Sequence, residues 1–150
     1  MTINQMKSAI LALAVAAATS ISGCGSDKSE FVIIADDNCG INAPLGNTPF
    51  NRQTDLLPWG WAFDKATGTV PDQIFMQIIS EDHKSSTKAT MKRASRPDVA
   101  KAFGLPIDMA GYGGQIEVKN LPAGTYSVSI VQTSGNKTIV CTSPSKIILN

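Results

Sequence analysis

One histidine, His83, is all that this 150-residue chain contains. A zinc site would need further ligands at a spacing the sequence does not offer. A Ser-His-Asp or Cys-His arrangement would rest on a residue in a polar turn, Glu81-Asp82-His83-Lys84, with no nucleophile motif beside it. Cysteine is scarce as well. There are three, none in a Cys-x-x-Cys pair, which argues against redox chemistry. Glu81 and Asp82 are sequence neighbours, so their side chains diverge in an extended segment and make a poor acid/base pair for glycoside cleavage. Gly111-Tyr112-Gly113-Gly114 has no lysine and no following helix; it reads as a loop and not as a phosphate cradle. Asp36-Asp37-Asn38 lacks the spaced oxygens and bidentate glutamate of a calcium loop and reads as a turn. Charge of one sign is not in excess: 13 Lys and Arg face 12 Asp and Glu, a near-neutral balance that argues against nucleic acid as a partner, which would call for a clearly basic face. The chain has no internal repeat. These absences predict a protein that is not an enzyme and takes no cofactor or metal.

What is present begins with a short polar start carrying Lys7, followed by an unbroken apolar run, Ala9 to Ala18. The run is too short to stay in a bilayer as a helix, which takes about 20 apolar residues. With the small residues that follow, it has the three regions of a secretory signal. Ile21-Ser22-Gly23-Cys24 resembles the lipobox of bacterial lipoproteins, an aliphatic residue and two small ones before cysteine. The resemblance implies cleavage before Cys24, a diacylglyceryl group on its thiol and an acyl group on the new amino terminus. More than one chain is what stable attachment needs, at about 0.8 kcal/mol per buried CH₂. Residue 25 is Gly and not Asp, which by the family's sorting rule implies the outer membrane. The expected location is the bacterial cell envelope.

Cleavage there leaves 127 residues, enough for one domain, with basic and acidic residues in balance. The expected division is residues 1–23 signal peptide, 24–37 tether and 38–150 folded domain. Gly25 to Glu30 is small and polar, as a tether should be; Phe31-Val32-Ile33-Ile34-Ala35 reads as an edge strand or a segment near the bilayer. With Cys24 lipidated, Cys39 and Cys141 remain, and an even pair in an exported protein predicts a disulfide.

Period-2 alternation recurs through the rest. Leu57, Trp59, Trp61 and Phe63 share one phase and read as a buried stripe, with Gly60, Ala62 and Asp64 opposite. Gln73 to Ile79 is an apolar run of strand length. From Ser85 to Arg93, Thr87, Ala89 and Met91 alternate with Lys88, Thr90 and Lys92, a half-buried antiparallel strand. Pro97 to Phe103 reads as one short helix stopped by Gly104, with Val99 and Phe103 inward. Gln115 to Val118, Thr125 to Val131, Lys137 to Cys141 and Lys146 to Leu149 complete about seven strands separated by turns. That pattern predicts an all-β, Ig-like antiparallel β-sandwich with one short helix.

Three segments in order, Gly60-Trp61-Ala62-Phe63-Asp64 with Pro71-Asp72, then Arg96 to Gly104, then Leu121-Pro122-Ala123-Gly124-Thr125-Tyr126, resemble a poorly characterised bacterial β-sandwich module. That module stands alone after signal peptides or is appended to membrane proteins of surface-polysaccharide pathways. The likeness spans roughly residues 39 to 150 and implies a fold more than an activity. In the shared residues, Asp98 is expected to cap the helix and Arg96 to pair with a carboxylate such as Asp64. Lys84, Lys88, Lys92 and Arg93, with Arg96 and Lys101 nearby, suggest a basic band facing a ligand, either anionic headgroups or acidic polysaccharide, or else the solvated face of a strand. The sequence thus predicts a lipid-anchored, non-enzymatic binding or accessory module whose partner is an envelope protein or surface glycan. The alternative it leaves open is an inhibitor of an extracellular enzyme such as a lysozyme or protease.

Overall fold

The computed structural model describes residues 31–34, 39–43 and 49–150. The signal, the lipobox with Cys24, most of the tether and the Asp36-Asp37-Asn38 turn lie outside them. Among the described residues the chain is mostly β, in two stacked sheets with one short helix.

The larger sheet is built on its longest strand, β9 (Gly124–Ser134). One edge of β9 pairs along its length with β5 (Gln73–Ser80), which pairs in turn with β6 (Ser86–Thr90). The other edge is shared: β10 (Lys137–Thr142) takes Ser129 to Ser134, and β11 (Ile147–Leu149) takes Gly124 to Tyr126. The break between them falls at Ser143-Pro144-Ser145, where proline cannot donate to the ladder. Two strands close this side in parallel, β1 (Phe31–Ile34) on β10 and β3 (Pro49–Phe50) on β11. The apolar run after the tether is therefore an edge strand, and the sheet begins within residues 24–37.

The smaller sheet has the order β2 (Cys39–Ala43), β4 (Trp59–Ala62), β8 (Gly111–Gly113), β7 (Lys92–Ala94), all antiparallel. Strands β6 and β7 are one extended run that changes sheet at Met91, whose N–H bonds the Ile74 carbonyl. The expected Gly111 loop is instead a central strand. Glycine is needed here for close approach: a Cβ on Gly111 would collide with the Ala94 carbonyl and the Arg96 side chain. The strand expected at Gln115 to Val118 is only a bridge between Ile116 and Leu56.

The main core lies between the sheets. Ile74, Met76, Ile78, Tyr126, Val128 and Ile130 come from the larger sheet, Ala62 and Tyr112 from the smaller. The helix α1 (Pro97–Phe103) covers part of the smaller sheet's other face, where Phe63, Val99, Ala100, Ile107 and Ala110 form a second core. Gly104, in the left-handed conformation at φ 64°, ends the helix as expected.

This second core overturns the reading of the tryptophan stripe. The buried phase of the segment is Leu56, Pro58, Gly60 and Ala62, facing the main core. Leu57 and Trp59, 68% and 50% exposed, lie on the outside. Small residues face inward because the Tyr112 side chain and the Gly40 carbonyl occupy the space that a Cβ on Gly60 would take.

Cys39 and Cys141 are bonded, with Cα atoms 6.2 Å apart, and join the edge of the smaller sheet to β10 in the larger.

Candidate binding surface

The outer face of the smaller sheet brings together two of the three segments that carried the sequence resemblance. Register fixes its rows. Trp59 lies opposite Gly113, and Gly113 opposite Lys92. In the next row Trp61 lies opposite Gly40 on one side and Gly111 on the other, and Gly111 opposite Ala94. The glycines keep the face flat. A Cβ on Gly40 would fall inside the Trp61 indole, so that ring lies directly across β2.

Trp61 continues into a cluster of rings. Its centroid is 5.3 Å from Phe103 and 5.9 Å from Phe63, and Phe63 meets Phe103 edge-on at 4.9 Å. These are favourable aromatic separations, each worth about 0.5–1.5 kcal/mol beyond burial. Phe63 is fully buried, Trp61 half-buried and Phe103 39% exposed, so the cluster grades from core to surface. Trp59 stands beyond it as the most open aromatic ring on this face.

Beside the rings, the Arg96 side chain lies over Gly111. It does not reach Asp64. Its Nε and Nη2 grip both oxygens of Asp98, at 2.8 and 2.7 Å, a two-pronged pair that holds the exposed Asp98 carboxyl at about 2. The helix begins after Arg96, which as the N-cap residue makes no side-chain capping bond, while the backbone N–H groups of Val99 and Asp98 in the first turn add to the lowering of the Asp98 carboxyl. The Arg96 Nη1 is buried with no acceptor.

Asp64 has another partner. It is 5% exposed, in a turn closed by the bridge to Thr69, and it pairs with the Lys137 ammonium. Burial pushes its carboxyl up, but the bond from Lys137, the Thr67 hydroxyl, the Lys137 charge and the Ala66 N–H together outweigh that, and the net direction is down. A carboxyl lowered in the folded state stabilises the fold above its unfolded value near 3.9, and that contribution is lost as pH falls through the folded value. Denaturation curves should therefore show stability declining below about pH 4, and Asp64→Asn should flatten that decline. An unaltered acid profile in the variant would remove Asp64 from the account.

The expected basic band is dispersed. Lys84 sits in the β5–β6 turn, 3.6 Å from Asp82. Lys88 is on the outer face of the larger sheet, its ammonium 3.9 Å from the centre of the Phe75 ring. Lys92 is on the outer face of the smaller sheet, because the strand has changed sheets between them. Arg93 points inward. Its guanidinium donates to the carbonyls of Pro71 at 2.6 Å, Ala62 at 2.8 Å and Ala110 at 3.4 Å, and to Gln132 Oε1 at 2.9 Å. Gln132, fully buried, passes its own N–H to the Phe63 carbonyl. Burial pulls the Arg93 guanidinium down to about 10, still a cation at neutral pH. Arg93 thus belongs to the interior and not to a ligand surface. The alternation already contained the signal, since Arg93 continues the inward phase of Thr87, Ala89 and Met91.

His83 lies at the tip of the β5–β6 turn with φ 58°, a conformation that β-branched residues avoid. Depressions on either side of this turn share Ser80 and Glu81. Among the described residues no group of three or more His, Cys, Asp or Glu is placed to hold a metal ion, and no helix is long and apolar enough to cross a membrane.

Comparison with models of known protein families found no match for this chain, and comparison with curated proteins found none.

Proposed function

We propose that the protein is a lipid-anchored component of the bacterial envelope, held by Cys24, whose folded domain is a non-enzymatic binding module. The observation that carries the binding reading is Trp59, a large ring left half exposed on a flat sheet face beside Gly113 and Lys92. Exposed aromatic rings on a rigid scaffold are what binding surfaces use, because they offer contact area at little entropic cost. Its ligand is a surface glycan or an envelope protein. The domain is read as an Ig-like sandwich. Supporting that reading, the Tyr126 hydroxyl donates to the Pro122 carbonyl four residues upstream at 2.7 Å, the arrangement of a tyrosine corner, and a disulfide joins the two sheets.

The purified domain should be retained by cell-wall or surface-polysaccharide fractions, or capture a partner from envelope extracts. Trp59→Ala should weaken that retention at least about tenfold, as for a hot-spot aromatic, while shifting stability by roughly 1 kcal/mol or less. Retention equal to wild type would remove Trp59 and the face around it.

Cys24→Ala is the test of the anchor. The expected result is loss of membrane fractionation or arrest of processing, as for a chain that can no longer be acylated. A variant that matures and partitions with membranes as before would refute lipidation at this residue.

A further inference from the structure

We infer that the lipid anchor orients the domain, with the β9–β10 turn toward the bilayer and the Glu81–Ser85 turn at the far end. The inference rests on Cys24 being the point of attachment and follows from sheet register and chain length.

The first described strand enters the sheet at a defined end. Phe31 lies opposite Lys137, the first residue of β10, and Lys137 lies opposite Ser134 across the β9–β10 turn. Gln73, at the start of β5, lies opposite Thr133 at the same end. The other end of β5 is Ser80, opposite Tyr126, and the N–H of Glu81 bonds the Thr125 carbonyl. Along β9, Thr125 and Ser134 are therefore separated by the length of the sheet, about 30 Å at roughly 3.3 Å per residue.

From Cys24 to Phe31 the chain takes seven Cα steps and reaches at most about 25 Å when fully extended. To stand on the bilayer by its Glu81 end, the domain would need this segment to run back along the sheet's full length and still reach the membrane. The segment is too short. The attachment pins the Ser134 end, and the Glu81 turn with its flanking depressions is carried outward. The smaller sheet follows the same axis. Asp64 is tied to Lys137 and the Phe63 carbonyl to Gln132, which sets that end of the segment toward the bilayer. Trp59, five residues back along the chain, is set away from it. Of the rings on that face, Trp59 is thus the one held at the end away from the membrane, and the Trp61–Phe63–Phe103 cluster lies nearer to it.

The test uses the full-length lipidated, disulfide-bonded protein in vesicles of phosphatidylethanolamine and phosphatidylglycerol carrying a headgroup-linked acceptor dye. A donor is attached at Ser134→Cys in one preparation and at Lys84→Cys in another, both exposed positions. Asp72→Cys and Ser86→Cys form a second exposed pair at the same two ends. Energy transfer should be several-fold stronger from Ser134 and Asp72 than from Lys84 and Ser86. Inserting about 20 Gly/Ser residues between Cys24 and Phe31 should erase most of the difference by lengthening the tether. Equal or reversed transfer in protein that floats with the vesicles would overturn the orientation while leaving the anchor intact. Protein that fails to float would overturn the anchor itself and the orientation with it.

Discussion

Replacing both partners of the disulfide, as Cys39→Ser with Cys141→Ala, should lower the melting temperature by roughly 10–20 °C, the equivalent of about 3–5 kcal/mol. The bond closes a loop of 102 residues by sequence separation, nearly the whole folded part. In the chain-entropy account, a closure of that length restricts the unfolded chain by up to about 4.7 kcal/mol. The native side adds to this. The bond spans from the edge strand β2 to β10, so without it β2 loses its covalent tie to the larger sheet and is held by its ladder with β4, the packing of Ile41 on the main core and the Tyr112 hydroxyl on the Gly40 carbonyl. Cys141 is 1% exposed, and the alanine there also leaves a small void. Scanning calorimetry on the oxidised protein and the double variant measures the effect directly. A shift of less than about 3 °C would mean that the sheets hold together without the bridge.

Arg93→Met should cost about 3 kcal/mol or more of unfolding free energy, read as a lower denaturant midpoint at constant slope. Three backbone carbonyls and the Gln132 amide oxygen converge on this guanidinium. The Ala110 carbonyl keeps the Ala62 N–H as a partner, but each acceptor that is left buried and unmade is worth about 1–3 kcal/mol, which is why the loss exceeds that of an ordinary surface change. Arg93→Lys should recover only part. A single ammonium cannot reach Pro71, Ala62 and Gln132 together as the planar fork does. The Pro71 carbonyl follows the turn begun at Asp64, Ala62 ends β4, and Ala110 immediately precedes β8, its neighbour in the smaller sheet. The side chain therefore ties the turn, the smaller sheet and, through Gln132, the larger one. If Arg93→Met unfolds at the wild-type midpoint, water has replaced these bonds and the residue is not structural.

Much of the fold could be read from alternation. Tyr126, Val128 and Ile130 point inward as their phase predicted, and Thr87, Ala89 and Met91 share the inward phase of their strand. The helix from Pro97 to Phe103 and its stop at Gly104 followed from proline and glycine placement. The aromatic surface was not legible. Alternation separates the two faces of a strand but does not say which face meets the main core once a helix covers the other. Trp59, Trp61 and Phe63 share one phase, yet they run from half exposed to fully buried, because only the Phe63 end lies under α1. The glycine-rich Gly111 segment failed for a related reason. Glycine usually marks a turn, but here it marks a strand whose neighbours approach too closely for a side chain.

The sequence by itself determined an all-β chain with one short helix and an available cysteine pair, because period-2 patterning, turn residues and cysteine parity are local properties. It also holds the Ile21-Ser22-Gly23-Cys24 motif on which the proposed anchor depends. Tertiary structure decided the rest. It split Lys88 from Lys92, since the run from Ser86 to Ala94 passes from one sheet to the other at Met91, and it gathered the carbonyls and the Gln132 amide that the inward Arg93 binds. It gave Asp64 to Lys137 and Arg96 to Asp98, because ion pairs form with the charge that the fold brings nearest. It left Trp59 in the open, since burial depends on which element covers a face and not on the residues of that face alone.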